Sequence, residues 1–278
     1  MAPANIRAVM SFHLLGWLAV LCYAGAEAAA IVSLVAPKTR LAWITPALIG
    51  AGLALHFRDL LIRARALNSV PYRTLGGSVS LFGWMLGIAF LVLLLRHREH
   101  AIGPFLIPFI MVTTAGGLLL PDAGSPPAEG THGALFALHV TLGILAYAAF
   151  TFSFVLSLLY LIQDRQIRRR TTGLLFSRLP ALEVISRMNR TSVTVGLSAL
   201  TCSLAIGLAR ASVIWKTLAD PKITFALITV VVYGLLLWKQ RRGWQGPRVA
   251  ILSILGFGLV MFSYTVVNVY LSRAHHFR

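Results

Sequence analysis

The sequence predicts an all-α membrane protein that crosses the bilayer about eight times. Of its 278 residues, 58% are hydrophobic and only 12% are charged, whereas soluble domains carry about 25% charged residues. Apolar runs of about 20 residues, long enough to cross a hydrocarbon core about 30 Å thick, recur along the whole length. The connections between these runs are too short to hold a soluble domain. We therefore expect one transmembrane helical domain over residues 1–278.

The predicted spans follow one another from end to end of the chain. They cover residues 9–35, 41–62, 75–95, 102–120, 133–162, 191–214, 222–240 and 249–271. The first run, with Arg7 before it and "AGAEAAA" within it, resembles a signal peptide with a cleavage site. Because the run is long for the apolar part of a signal peptide, we interpret it as a retained first helix.

The basic residues predict the orientation. The net charge of +17 comes from Lys and Arg in the loops, so we expect contacts with anionic headgroups rather than with nucleic acid. One set of alternate loops, 36–40, 96–100, 163–190 and 239–248, holds 15 Lys and Arg, and the other set holds 10. The positive-inside rule places the first set in the cytoplasm and both termini on the outer, periplasmic side.

Six of the eight histidines fall in the predicted outer half of the protein. They are His13, His56, His132, His139, His275 and His276. His139 lies deepest, within "FALHVTLGILAYAAF", and a polar side chain kept in an apolar span usually has a partner or a function. Each histidine could instead be an interfacial residue or form a hydrogen bond between helices.

An arginine cluster on the same side runs against the charge bias. It comprises Arg58, Arg63, Arg65 and Arg73. Imidazole binds heme iron axially, and guanidinium pairs with carboxylates such as heme propionates. The histidines and arginines together therefore indicate a heme site, while an alternative is that the arginines contact lipid phosphates.

Spacing limits which histidines could share one iron. His132 and His139 are seven residues apart, so they lie about 10 Å apart on one helix face and cannot flank a single iron. A site with two histidine ligands needs a second segment. The segment "AHHF" at 274–277, after the last span, is the natural supplier.

Four segments in order give the chain a family resemblance. They are "LHVTLGILAYAAF", "LPALEVISR" at 179–187, "GWQGPRVAILSILGF" at 243–257 and "YTVVNVYLSRAHH" at 264–276. Their order and spacing over residues 133–278 resemble the cytochrome c assembly family that includes CcsA, CcmC and the HemX/YpjD proteins. In the first half, "ALHFRDLLIRARAL" and "GGSVSLFGWM" are most similar to the HemX/YpjD branch.

The resemblance implies that two outward-facing histidines flank a tryptophan-rich loop and coordinate heme. Here the axial pair would be His139 and His275, with His276 as the neighbouring alternative. The loop would correspond to "ARASVIWKTLADPKITF" at 209–225, which keeps Trp215 and Asp220 but has Ala219 where a tryptophan would stand. This departure favours the HemX/YpjD branch.

Local chemistry offers another role for part of that loop. Asp220 and Pro221 also suit the N-cap and first position of the next helix. The wider set of candidate cofactor-binding residues comprises His139, His275, His276, Trp215, Asp220, Arg58, His56 and His132, with His139 and His275 as the metal ligands. We predict no catalytic residue.

The resulting hypothesis is a heme-handling protein of the cytochrome c assembly type in a bacterial inner (plasma) membrane, holding non-covalent (b-type) heme near the outer face. Cys22 and Cys202 stand alone in separate spans, so the chain supplies no thiol pair, and heme attachment would need partners from a cytochrome c or respiratory assembly system. The chain would not be a standalone enzyme. The alternative is a structural or regulatory subunit that keeps the family fold without heme. A small-solute transporter ranks last, because paired interrupted helices are missing from the sequence.

Overall fold

The computed structural model describes residues 3–36, 43–66, 70–120, 133–170, 173–214, 221–244 and 246–263. All regular structure in these ranges is helical. The chain forms two compact units, residues 1–125 and 126–278. The expectation of a single domain stays a prediction, and each unit is considered by itself.

Unit 1 is built from four long helices. They are α1 (Pro3–Val35), α2 (Ile44–Ala66), α3 (Leu75–His97) and α4 (Gly103–Leu119). Two short 3-10 helices, Pro71–Arg73 and His100–Ile102, precede α3 and α4. Helix α1 packs on α2 and α4, and α3 packs on the same two helices, so each long helix has two neighbours. The fully buried side chains at its centre include Leu86, Phe90, Ile107 and Ile110.

Unit 2 repeats this closed arrangement with different helices. It contains α5 (Ala134–Arg168), the short α6 (Leu174–Arg178), α7 (Leu182–Ile214), α8 (Pro221–Arg241) and α9 (Pro247–Phe262). Helix α5 packs mainly on α7 and also on α9, and α8 contacts both α7 and α9. The rings of Phe150 and Tyr233 stack in the core with centroids 3.9 Å apart. Gly196 lets Phe150 reach α7, because a β-carbon there would lie 2.6 Å from the phenyl ring.

A buried amide also joins α5 to α7. The side-chain nitrogen of Asn189 donates to the Ser153 carbonyl oxygen at 3.0 Å and to the Ser157 hydroxyl at 2.6 Å. Hydrogen bonds of this kind hold helices together where apolar burial alone gives little preference for one helix over lipid. The two longest helices of unit 2 are thereby fixed in register.

The helices confirm the predicted fold class, a polytopic all-α membrane protein. Seven helices in the described ranges are long and apolar enough to cross a membrane. The eighth predicted span, 249–271, begins in α9, which is described over 16 residues to Phe262, and its remainder lies outside the described residues. Helix α8 begins at Pro221, as the sequence predicted for that proline. The orientation of the termini stays a prediction.

Candidate functional site

Three of the eight candidate site residues lie among the described residues. They are His139 in unit 2 and His56 and Arg58 in unit 1. The others, His132, Trp215, Asp220, His275 and His276, lie outside the described ranges. Ligation of one iron by His139 and His275 therefore stays a prediction. Within the described ranges, no group of three or more His, Cys, Asp or Glu side chains is arranged to hold a metal ion.

His139 is half-buried in the first turns of α5 and faces α7. Its Nδ1 atom lies 2.7 Å from the backbone carbonyl oxygen of Ser203. The Ser203 hydroxyl lies 3.1 Å from the same nitrogen and donates its own hydrogen to the His139 carbonyl oxygen at 2.8 Å. The two residues thus exchange backbone and side-chain hydrogen bonds across the interface.

These contacts assign the tautomer of His139. A carbonyl oxygen can only accept a hydrogen bond, so Nδ1 carries a hydrogen, and in the neutral ring Nε2 then carries the lone pair. A histidine that binds a metal through one nitrogen commonly donates its other N–H to a backbone carbonyl, which fixes the ring orientation. His139 has this arrangement.

Gly207 forms the surface beneath the imidazole ring. It follows Ser203 by one helical turn, and a β-carbon at this position would lie 2.7 Å from Cε1 and 3.0 Å from Nδ1 of His139. The ring can occupy its position only because residue 207 has no side chain. Ser203 and Gly207 are functional candidates that the sequence analysis missed. The sequence could have indicated them, because they are two small residues four positions apart in a predicted span, a spacing typical of close helix packing.

His56 occupies a different environment at the centre of unit 1. It is fully buried, with Nδ1 3.3 Å from the Tyr23 hydroxyl of α1 and Nε2 2.8 Å from the Ser80 hydroxyl of α3. Both ring nitrogens therefore take part in hydrogen bonds to neighbouring helices. This geometry favours the interhelical role that the sequence left open.

The arginine cluster is divided between exposed and buried positions. Arg58 and Arg65 are exposed on α2. Arg63 is buried, with Nε 3.0 Å from Asp59 Oδ2, and its Nη1 donates to the Gly117 carbonyl oxygen of α4 at 3.2 Å. Arg63 is thus part of the interior of unit 1. Asp59 was not among the predicted residues, although its place four residues before Arg63 is the spacing of a helical ion pair.

Comparison with known proteins gives this geometry a family context. The family model described as "Cytochrome C assembly protein" matches residues 72–275, nearly three quarters of the chain. The chain belongs to the cytochrome c assembly protein family. The matched range takes in His139, Ser203 and Gly207 and extends to His275, while His56 and Arg58 precede it.

Relatives from three organisms agree with this family. A cytochrome c biogenesis protein CcsA from Pyropia yezoensis is 27% identical, and the match covers 82% of this chain and 84% of the relative. CcsA proteins from Synechococcus sp. (strain JA-3-3Ab) and Prochlorococcus marinus (strain MIT 9312) are both 28% identical. The Synechococcus match covers 80% of this chain and 81% of the relative, and the Prochlorococcus match covers 76% of this chain and 76% of the relative. The narrower assignment to the HemX/YpjD branch stays a prediction.

Proposed function

We propose that this family member handles heme during cytochrome c biogenesis and holds it non-covalently near the outer membrane face, with His139 and His275 as axial ligands. The observation that carries the proposal is the hydrogen bond from His139 Nδ1 to the Ser203 carbonyl oxygen, because it leaves the lone pair on Nε2. The name shared by the relatives, cytochrome c biogenesis protein CcsA, supports the same process.

The chemistry of the described residues supports some members of the candidate set more than others. His139 has the tautomer and the fixed ring that an axial ligand requires. The exposed guanidinium of Arg58 is chemically suited to a propionate, and its place in the heme site stays a prediction. Both nitrogens of His56 are in hydrogen bonds, so we leave this predicted cofactor-binding residue out of the proposed site. His275, with His276 beside it, would supply the second ligand.

Residues near the predicted outer face would complete the site. Trp215 and Asp220 would contribute what remains of the tryptophan-rich loop, and His132 would lie at the start of the same segment as His139. Heme supplies the iron that the histidines would ligate. The chain itself would orient the His139 ring through Ser203 and Gly207.

Covalent attachment of heme would require partners. The two cysteines are free thiols, Cys22 half-buried in α1 and Cys202 exposed on α7. We infer that an apocytochrome brings the thiols and that other membrane proteins of the assembly system bring the reductant. We place the protein in a bacterial inner membrane with both termini on the outer side.

The test is a reduced-minus-oxidised absorption spectrum of detergent-purified protein loaded with hemin. Wild type should give a low-spin spectrum with sharp reduced bands, and His139→Ala should lose it. The matched control is His100→Ala, since His100 lies in the other unit at the predicted cytoplasmic end. Comparing His275→Ala with His276→Ala then identifies the second ligand.

A contrary result favours the subunit alternative. If hemin binds wild type and His139→Ala with the same Soret position and affinity, His139 is not a ligand. If wild type cannot be loaded and instead co-purifies in fixed ratio with a membrane partner after heme depletion, the chain acts as a structural or regulatory subunit.

A further inference from the structure

Cations and indole rings alternate where α8 turns into α9. The Nζ atom of Lys239 lies 5.1 Å from the ring centroid of Trp238 and 4.9 Å from that of Trp244. The guanidinium carbon of Arg242 lies 5.3 Å from the Trp238 ring, and that of Arg248 lies 5.9 Å from the Trp244 ring. All four distances are within the range of about 6 Å at which a cation is attracted to an aromatic face. We call these five residues the cation–indole ladder.

The backbone of the turn sets the geometry of the ladder. The Trp244 amide donates to the Lys239 carbonyl oxygen at 3.0 Å, which brings the second ring opposite the lysine. Gly243 makes this reversal with φ +89°, a conformation that glycine adopts without strain. The spacing of rings and cations is therefore built into the connection between the two helices.

The ladder has positive charge without acidic partners close by. No Asp or Glu occurs between residues 238 and 248. Within the described part of the chain, Lys239, Arg242 and Arg248 form no ion pair with an acid. The ring faces attract the cations but do not neutralise them, so the ladder favours an anionic ligand.

Exposed apolar stripes run into the ladder along both helices. On α8, Leu227, Val231 and Leu235 are exposed at four-residue intervals and lead to Trp238, which is 48% exposed. A spacing of four places them on one face of the helix. On α9, exposed Ile251 and Leu255 follow Arg248 with a similar spacing, and exposed Phe262 lies further along the same helix. In a membrane-crossing helix such a stripe contacts acyl chains.

We propose that the cation–indole ladder binds the headgroup of an anionic phospholipid. The positive charge of Lys239 and Arg248 would attract the headgroup phosphate, the indole rings would lie at headgroup depth, and the acyl chains would follow the apolar stripes. A soluble acidic partner would leave the stripes uncovered. The ladder lies in the predicted cytoplasmic connection 239–248, whereas the proposed heme site lies near the predicted outer face, so the two proposals are tested separately.

Lipid titration of the full-length protein in detergent tests the proposal. Thermal unfolding is followed with phosphatidylglycerol, phosphatidylcholine and glycerol 1-phosphate as separate additives. The variant is Lys239→Gln with Arg248→Gln. The matched control is Arg165→Gln with Arg169→Gln, which removes two exposed arginines at the end of α5, also in a predicted cytoplasmic loop. Phosphatidylglycerol should stabilise wild type and the control equally, while its half-saturating concentration rises on the order of tenfold in the ladder variant.

Three results would overturn the proposal. Equal stabilisation by phosphatidylglycerol and phosphatidylcholine would show that headgroup charge has no role. An equal loss of response in both double variants would show that only total charge matters. Stabilisation by glycerol 1-phosphate at the same concentration would indicate a site for a free anion. Should the double variant unfold without lipid, the exposed Arg248→Gln alone gives the same comparison, with a smaller expected rise of severalfold.

Discussion

The imidazole of His139 lies directly against the Cα of Gly207, so that a β-carbon at residue 207 would come within 2.7 Å of Cε1. The hydrogen bond from His139 Nδ1 to the Ser203 carbonyl oxygen holds the ring in that place. One turn of α7 thus determines both the tautomer and the position of the proposed axial ligand. Substitutions in α7 that keep His139 can therefore test the positioning of the ring separately from its role as a ligand.

Gly207→Ala should lower heme affinity about 10- to 100-fold, the range for changes to groups that orient a metal ligand. The added methyl group would displace the imidazole from the Ser203 carbonyl oxygen. Hemin titration followed at the Soret band measures the affinity, and the reduced spectrum shows whether the remaining heme is still low-spin.

Two other glycines serve as controls for Gly207. Gly234→Ala in α8 meets nothing within 4 Å, so it should leave heme affinity unchanged and be neutral or stabilising by up to about 1 kcal/mol. Gly196→Ala meets the Phe150 ring at 2.6 Å in the same α5–α7 interface, so it should lower stability and leave the Soret position unchanged. If Gly196→Ala weakens heme binding as much as Gly207→Ala does, the effect belongs to the interface and not to the histidine.

Asp59→Ala should destabilise the protein by about 3 kcal/mol, because it leaves a buried guanidinium without its carboxylate. The side chains of Arg63 and Asp59 are only 4% and 0% exposed. Replacing both with Leu and Met should cost less than Asp59→Ala alone, since no charge then remains buried. Unfolding in mixed micelles measures both variants against wild type.

The Asp164–Arg168 pair is a matched control for that experiment. It has the same residue types, the same four-residue spacing and a distance of 2.8 Å, but its arginine is 69% exposed. Asp164→Ala should produce little measurable change, because solvent screens an exposed pair. Equal losses at the two sites would contradict the assignment of a buried, structural role to Asp59.

Neighbouring glycines in α4 should respond differently to alanine. A β-carbon at Gly117 would lie 2.6 Å from the Ser80 amide nitrogen, so Gly117→Ala must move backbone and should cost about 1–3 kcal/mol. At Gly116 the nearest atom would be Val79 Cγ1 at 3.9 Å, and helix propensity should make Gly116→Ala neutral or stabilising by up to about 1 kcal/mol. Thermal unfolding distinguishes them, and identical melting temperatures would refute the close α3–α4 contact.

His56→Leu should destabilise unit 1 and leave heme binding intact. The change removes the partner of two buried hydroxyls, those of Tyr23 and Ser80, at a cost of about 1–3 kcal/mol for each group left unsatisfied. Ser80→Ala removes one of the two bonds and should cost less. Loss of the heme spectrum in folded His56→Leu would return His56 to the candidate cofactor-binding residues.

The sequence by itself determined the fold class and most of the helices. Lipid requires apolar side chains over about 20 residues and satisfied backbone groups, and both demands are visible in local composition. Pro221 was likewise placed correctly at a helix start, because the constraint on its backbone is local. His139 was predicted as a site residue on equally local grounds, because it is a polar residue within an apolar run.

Only the tertiary structure decided which polar groups meet. Ser203 lies 64 residues from His139, and Tyr23 lies 33 residues from His56. Hydropathy predicts that a helix lies in the membrane, but it does not predict how the helix is rotated or in which register it packs against its neighbours. Those follow from close packing at small residues such as Gly207 and Gly117, where the contact exists because a side chain is missing. Rotation and register made His56 a link between helices, drew Arg63 into the interior, and left His139 oriented with its lone pair on Nε2.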